Sequence, residues 1–334
     1  MRIIVLHNNV PDPAPPDEKD ALLQAEAVSI ALLDAGHEAI KVPFPLDTLR
    51  VIEELRALRP ALVFNLVESV EGQGRLIHLA PTVLDYLAVP YTGSPTEAVF
   101  LTSHKLLAKR RLKEAGIRTP PWYSMHDAPA GVTIPEGSFI MKSVWEHASI
   151  GLEDDCIIRT GDPRRLRTEL ETRKEKLGGE AFAEMYIDGR EFNLSLLGKK
   201  GTVEVLPPAE IVFRDFPVGK PRIVGYRAKW DDGAFEYHNT PRSFNFPGED
   251  RLLLETLESI SISCWDIFGL RGYARVDFRV DREGIPWVLE VNANPCLTPD
   301  SGFVAATERH GLTYRDLITG IAGDALCSGN KGLS

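Results

Sequence analysis

The chain has 334 residues, too many for one ordinary hydrophobic core, and this length predicts two or three domains. Hydrophobic residues (43%) and charged residues (26%) occur in the proportions of a folded globular protein. The formal net charge of −10 argues against general binding to nucleic acids or to anionic membranes, because both favour a basic surface.

The cysteines and the N-terminus bear on the compartment. Cys156, Cys264, Cys296 and Cys327 are scattered, without a CxxC pair or a zinc-like spacing, which favours free thiols in a reducing environment. The apolar run in MRIIVLHNNV is too short for a signal peptide. No run approaches the roughly 20 apolar residues of a membrane span. The sequence therefore predicts a cytoplasmic protein that does not enter a membrane.

Strand and helix patterns alternate in residues 1–98, which predicts an N-terminal parallel α/β domain. A Pro/Asp-rich loop is expected to about Asp20, followed by a helix that stops at Gly36. The other predicted elements are strands at Ile3–Leu6, Ala39–Val42 and Ala61–Leu66, and a helix at Asp47–Leu58.

Two further α+β domains are predicted, a small central one over residues 99–182 and a C-terminal one over residues 183–325. The central domain has a basic helix (HKLLAKRRLKEAG) and strand candidates at Phe139–Ser143 and Asp155–Arg159. The C-terminal domain is strand-rich from Phe182 to Tyr237, with a long helix from about Glu249 to Phe268. The strands YARVDFRVD and PWVLEVNAN then flank DREG, a hairpin turn signal. Residues 326–334 are predicted to be a disordered tail.

Four polar residues of this hairpin are predicted to share one face. Arg275 and Asp277 lie two residues apart on one strand, and Glu290 and Asn292 lie two apart on the other. Carboxylate and amide oxygens that converge in this way suit Mg²⁺, which usually also binds substrate phosphates. A solvated, salt-bridged polar face is the alternative, although the apolar flanks favour a site.

Several segments together resemble a known family. RVD, EVN and LTPDS, in that order and spacing, look like the C-terminal signature of ATP-grasp ligases of the D-alanine–D-alanine ligase-like branch. The upstream segments that resemble the same family are PYTGSPTEAVFLTSHK, FIMKSVWEHASIG, EMYIDGREFNLSLL and RAKW. The matches run in family order from about Asn65 to Phe303 and imply an ATP-grasp architecture.

The resemblance also implies roles for individual residues. Lys105 and Lys142 would contact the ATP phosphates and Lys229 the γ-phosphate. The segment from Glu184 through Tyr186 to Ile187 would form the adenine hinge, and Glu191 would bind the ribose. The roles implied around the reacting groups are two Mg²⁺ ions (or Mn²⁺ as a substitute) on Asp277, Glu290 and Asn292, oxyanion stabilisation by Arg275, and a second-substrate carboxylate on Ser301.

The implied reaction is an ATP-dependent ligation. A carboxylate attacks the γ-phosphate to give an acylphosphate, and an amine then displaces phosphate to form an amide. Amino acids or hydroxy acids are the expected substrates, without a nucleic-acid or membrane partner. The resemblance also implies a homodimer.

Departures from the family pattern concentrate on substrate recognition. Ala148 replaces a serine, Lys19 aligns with an N-terminal glutamate, Trp230 replaces a tyrosine and Cys296 replaces a glycine. Because Ala148 lacks a hydroxyl and Lys19 would repel an ammonium, weak or absent D-Ala–D-Ala synthesis is expected. A non-catalytic or regulatory ATP-binding protein is the alternative, and a kinase that stops at the acylphosphate or a nucleophilic Cys296 is disfavoured.

Overall fold

The computed structural model describes residues 1–125, 133–146, 149 and 151–328, except for the side chains of residues 154 and 328. In these residues the strands form three sheets that follow one another along the chain. None of the described helices combines the length and apolarity needed to cross a membrane.

The N-terminal region forms a parallel sheet of order β2-β1-β3, which confirms the predicted α/β alternation. One prediction is wrong: the first helix begins at Pro16, inside the expected loop. Proline suits the first turn of a helix, where Asp17 and Glu18 also favour the helix dipole. The elements are β1 (Arg2–Asn8), α1 (Pro16–Asp34), β2 (Glu38–Phe44), α2 (Thr48–Leu58), β3 (Leu62–Asn65), α3 (Leu79–Leu87) and α4 (Thr96–Ser103).

The central region is an antiparallel sheet of order β4-β7-β5-β6. The second predicted strand starts at Ile157, because Asp154–Cys156 forms a 3₁₀ turn. The last strand of this sheet spans the predicted domain boundary at residues 182 and 183. The elements are α5 (Lys105–Glu114), β4 (Trp122–Ser124), β5 (Gly137–Ser143), β6 (Ile157–Thr160), α6 (Pro163–Arg173) and β7 (Ala181–Met185).

The C-terminal region forms a sheet of order β11-β10-β8-β12-β13, with β9 paired to β8. The DREG hairpin is confirmed. The helices Tyr226–Trp230 and Phe235–His238 replace part of the strand structure that was predicted up to Tyr237, so RAKW lies in a helix. The elements are β8 (Gly189–Lys199), β9 (Thr202–Val205), β10 (Ala209–Ile211), α7 (Tyr226–Trp230), α8 (Phe235–His238), β11 (Arg242–Ser243), α9 (Arg251–Phe268), β12 (Tyr273–Asp281), β13 (Pro286–Asn292), α10 (Gly302–Arg309) and α11 (Tyr314–Ser328).

The last helix, α11, packs against the first strand, β1. Leu317 and Ile321 of α11 share a buried core with Ile3 and Val5 of β1. Helix α11 continues to Ser328, and Leu326 packs against this core. The predicted disordered tail is therefore wrong for residues 326–328, and the rest of that tail lies outside the described residues.

Candidate active site

The hairpin of β12 and β13 presents its polar side chains as predicted. Arg275 pairs with Asn292 and Asp277 pairs with Glu290 across the antiparallel strands. A β-bulge follows, because the next pair joins Phe278 to Val288. This extra residue lets Leu289 line the same cleft as Glu290.

Arg275 is held by the neighbouring carboxylate. Its Nε lies 2.7 Å from Asp277 Oδ1 and its Nη2 lies 2.8 Å from Asp277 Oδ2. Asn193 on β8 also donates to Asp277 Oδ1, at 2.8 Å. Burial alone would lower the pKa of Arg275, but the Asp277 carboxylate outweighs it and raises that pKa. The guanidinium is therefore a fixed positive charge at the cleft, and Asp277 is its counter-ion.

The cleft lies between the central and C-terminal sheets and is partly open to solvent. Lys105 lines this cleft, and its Nζ donates a hydrogen bond to the Glu146 carbonyl at 2.6 Å. Burial lowers the pKa of Lys105, while Glu290 acts in the opposite direction. The lining residues are Lys105, Lys142, Ser143, Glu146, Ser149, Leu152, Phe182, Lys229, Arg275, Leu289, Glu290 and Asn292.

Lys229 brings a third lysine to the cleft from α7. Much of its side chain is exposed, yet loss of hydration around the ammonium and then the charge of Arg275 lower its pKa. Lys105, Lys142 and Lys229 thus face the same space as Arg275. Such a concentration of positive charge in an acidic protein suits a polyanion such as a triphosphate.

Glu184 has a buried carboxylate, which its predicted place in an adenine hinge did not anticipate. Only 1% of Glu184 is exposed, and its two oxygens lie 2.5 Å from Lys109 Nζ and 2.7 Å from Lys142 Nζ. Burial would raise the pKa of Glu184, but the two lysines outweigh it and lower that pKa. Burial lowers the pKa of Lys109 to about 8.

Two of the three remaining predicted nucleotide contacts, Tyr186 and Glu191, already have protein partners, and the third, Ile187, is buried. The Tyr186 N–H donates to the Ser138 carbonyl at 2.8 Å, and Ile187 is buried. The Glu191 carboxylate lies 2.7 Å from Arg279 Nη2. Arg279 was missed from the sequence, although it lies two residues after Asp277 on the same strand and opposite Glu191.

Two carboxylates of the N-terminal region lie near Arg275 and the loop that follows β13. Glu68 Oε1 accepts from Gln24 Nε2 at 2.9 Å, and Asp20 Oδ2 accepts from the Cys296 thiol at 3.2 Å. The pKa of Glu68 is raised to about 7, chiefly by burial. The charge of Asp20 contributes to this increase, while the hydrogen bond from Gln24 and the charge of Arg275 oppose it. We call Asp20 and Glu68 the acidic pair.

The acidic pair changes the interpretation of Lys19 and Cys296. Lys19 is exposed, and it is the next residue, Asp20, that contacts the loop after β13. Burial, followed by Glu68 and Asp20, raises the pKa of Cys296 well above its ordinary value. The thiol therefore stays protonated, which argues against a nucleophilic role.

Ser301 caps α10. Its Oγ accepts from the Val304 N–H at 3.3 Å, and its hydroxyl hydrogen can still be donated to a ligand. Arg242 donates to the Asp300 carbonyl at 2.9 Å, beside this cap. Trp230 lies in α7, with its ring centroid 6.5 Å from that of Tyr226. Ala148 and His147 lie outside the described residues.

Comparison with known proteins identifies the family. The family model described as "D-ala D-ala ligase C-terminus" matches residues 140–322, more than half of the chain. A D-alanine–D-alanine ligase of Synechococcus sp. (strain JA-2-3B'a(2-13)) is 31% identical over 306 residues, which covers 90% of this chain and 87% of that protein. The chain belongs to the D-alanine–D-alanine ligase family.

Two further proteins are similar to this chain over almost its whole length. Uncharacterized protein y4sG of Sinorhizobium fredii is 30% identical over 338 residues and 96% of both chains. The structure of the Bacillus anthracis D-alanine–D-alanine ligase with ATP has a TM-score of 0.73, at 21% identity, over 99% of both chains. The predicted family and the predicted ATP-grasp fold are confirmed. The roles of individual residues stay predictions.

Proposed function

We propose that this protein is an ATP-dependent ligase that joins the carboxyl group of one amino acid to an amine, or to a hydroxyl, of a second acid. One observation carries the proposal: three lysines and Arg275 line the same cleft as Glu290 and Asn292. Phosphoryl transfer depends mostly on positioning and on charge neutralisation, which is what such a cleft supplies.

The reaction balances without a protein nucleophile. A substrate carboxylate oxygen attacks the γ-phosphorus, and the bond to the β-phosphate oxygen breaks to release ADP. The amine of the second substrate then attacks the acyl carbon, and phosphate leaves with the former carboxylate oxygen. After the amine attacks and before phosphate leaves, the acyl oxygen carries a negative charge, and the fixed charge of Arg275 would stabilise this oxyanion. The proton lost by the amine passes to solvent or to phosphate.

The polar face of the hairpin fits a hard cation. Asp277, Glu290 and Asn292 offer only oxygen donors from neighbouring positions of one hairpin face. Mg²⁺ bound there would neutralise phosphate charge, with Mn²⁺ as a substitute. Asp277 would share its oxygens with Arg275 and Asn193, while Asn292 Oδ1 also accepts from the Asn294 N–H at 2.9 Å.

The acidic pair supports an amino acid as the first substrate. Asp20 and Glu68 would accept hydrogen bonds from its ammonium, and an ammonium beside Glu68 would offset the cost of that buried charge. Ser301 and Arg275 would hold the carboxylate of the second substrate. With Ala148, Trp230 and Cys296 in place of the family residues, we still expect weak D-Ala–D-Ala synthesis.

A phosphate-release assay tests the proposal. The protein would be supplied with ATP, Mg²⁺ and amino or hydroxy acids, singly and in pairs, in D and L forms. We expect release that depends on both acids of one pair, with a condensed product by mass spectrometry and a weaker rate for D-alanine alone. Binding of ATP without turnover with any pair would instead support a regulatory ATP-binding protein, and efficient D-Ala–D-Ala synthesis at sub-millimolar substrate would contradict the altered specificity.

A further inference from the structure

Lys109 forms a buried ionic trio with Glu184 and Lys142. Lys109 is only 1% exposed, and besides Glu184 it contacts Thr119 Oγ1 at 2.6 Å and the Pro120 carbonyl at 3.3 Å. Its Nζ also lies 5.6 Å from the centroid of the Trp122 ring. Lys142 is the more accessible lysine, with 16% of its side chain exposed, and it lines the cleft.

Local structure explains how the trio forms. Lys105 and Lys109 are one turn apart on α5, so they lie on the same side of the helix. Lys142 pairs with Phe182 across β5 and β7, and Glu184 lies two residues further on the same face of the sheet. Helix α5 therefore supplies Lys105 to the cleft directly and Lys109 to the carboxylate behind it.

The stability of the fold does not account for this arrangement. A buried ion pair seldom stabilises a protein more than apolar side chains of the same size, because both ions lose their hydration. Here a single carboxylate serves two lysines, so the trio keeps one net positive charge. That charge is presented at the cleft through Lys142.

We propose that Lys109 is a positioning residue for the nucleotide phosphates. By binding one oxygen of Glu184, it leaves the other oxygen to fix the Lys142 ammonium and leaves the charge of Lys142 available to a phosphate. This role rests on the proposed function, in which Lys142 contacts ATP. Without Lys109, Lys142 is the remaining partner of the Glu184 carboxylate within the trio. The net charge of this Lys142–Glu184 pair is then zero, so less positive charge faces the phosphates.

Nucleotide titration tests the role of Lys109. In Lys109→Met we expect the Kd of a non-hydrolysable ATP analogue with Mg²⁺ to rise about tenfold or more, while that of adenosine changes less than about twofold. The Lys113→Met variant, on an exposed position of the same helix, serves as the matched control and should bind both ligands like the wild type. Equal weakening of the ATP analogue and of adenosine would overturn the proposal.

The same substitution in a Glu184→Gln protein distinguishes an effect of the Lys109 charge from an effect of its packing. If Lys109 acts through Glu184, the Lys109→Met/Glu184→Gln protein should bind the ATP analogue as Glu184→Gln alone does. A further loss in that background would show that Lys109 acts by packing, and would overturn the proposal. If Lys109→Met fails to fold, Lys109→Gln, which can still hydrogen-bond to Thr119, carries the same comparison. Unchanged affinity in Lys142→Ala would instead contradict the nucleotide site of the proposed function.

Discussion

Replacement of Glu290 by glutamine is expected to lower ATP-dependent turnover by about a hundredfold or more. The change keeps the shape of the side chain and removes one negative charge from the oxygen donors of the hairpin. Glu290 lines the cleft beside Lys105 and Arg275, where phosphate and metal charges would meet. The measurement is phosphate release at saturating ATP with the best substrate pair.

A matched variant and a stability measurement accompany Glu290→Gln. Glu283→Gln changes an exposed glutamate in the turn of the same hairpin and should keep wild-type turnover. The free energy of unfolding of Glu290→Gln should stay within about 1 kcal/mol of the wild type, because the position is only partly buried. Wild-type turnover by Glu290→Gln would contradict the proposed metal site.

Replacement of Glu68 by glutamine is expected to stabilise the ligand-free protein at pH 8 by about 1 to 3 kcal/mol. In the folded protein the pKa of Glu68 is raised from 4.5 to about 7, chiefly by burial. Between these values the folded state holds a proton that the unfolded state has lost, so this residue makes folding less favourable as the pH rises. Glutamine removes that penalty but also removes the negative charge that would face the first substrate's ammonium.

Chemical denaturation at several pH values measures the effect of Glu68→Gln. The difference in unfolding free energy from the wild type should be largest at pH 8 and should shrink as the pH falls toward 4.5. The exposed Glu53→Gln variant is the control and should show no such trend. A stabilisation that is the same at pH 5 and pH 8 would show that the charge of Glu68 is not its cause.

The sequence was most informative where short-range periodicity sets the geometry. The two-residue spacing on β12 and β13, with a turn signal between them, predicted which four side chains share a face, and the register confirms it. Apolar runs separated by helical patterns similarly predicted the parallel N-terminal sheet. The family segments added the fold, because their order along the chain reflects one architecture.

The missed features depend on long-range packing. Asp20 contacts Cys296 across 276 positions, and neither residue carries a local signal of the other. Lys109 lies in a helix that was predicted only to be basic, and its local pattern does not indicate that the fold buries Lys109 against Glu184. Arg279 is a similar case. The alternation of side chains along β12 puts Arg279 on the same face as Asp277, but it does not indicate that Arg279 contacts Glu191. Homodimerisation and the cytoplasmic location stay predictions.

The path of the carboxylate oxygen tests the central claim most directly. The first substrate, which supplies the carboxyl group, would carry ¹⁸O at both carboxyl oxygens. The reaction would be run until this substrate is consumed, and the released phosphate would be analysed by mass spectrometry. Attack of the carboxylate on the γ-phosphate requires that each phosphate carries one ¹⁸O atom and that ADP is the nucleotide product. Amide formation with unlabelled phosphate, or with the label in AMP, would contradict an acylphosphate intermediate in this cleft.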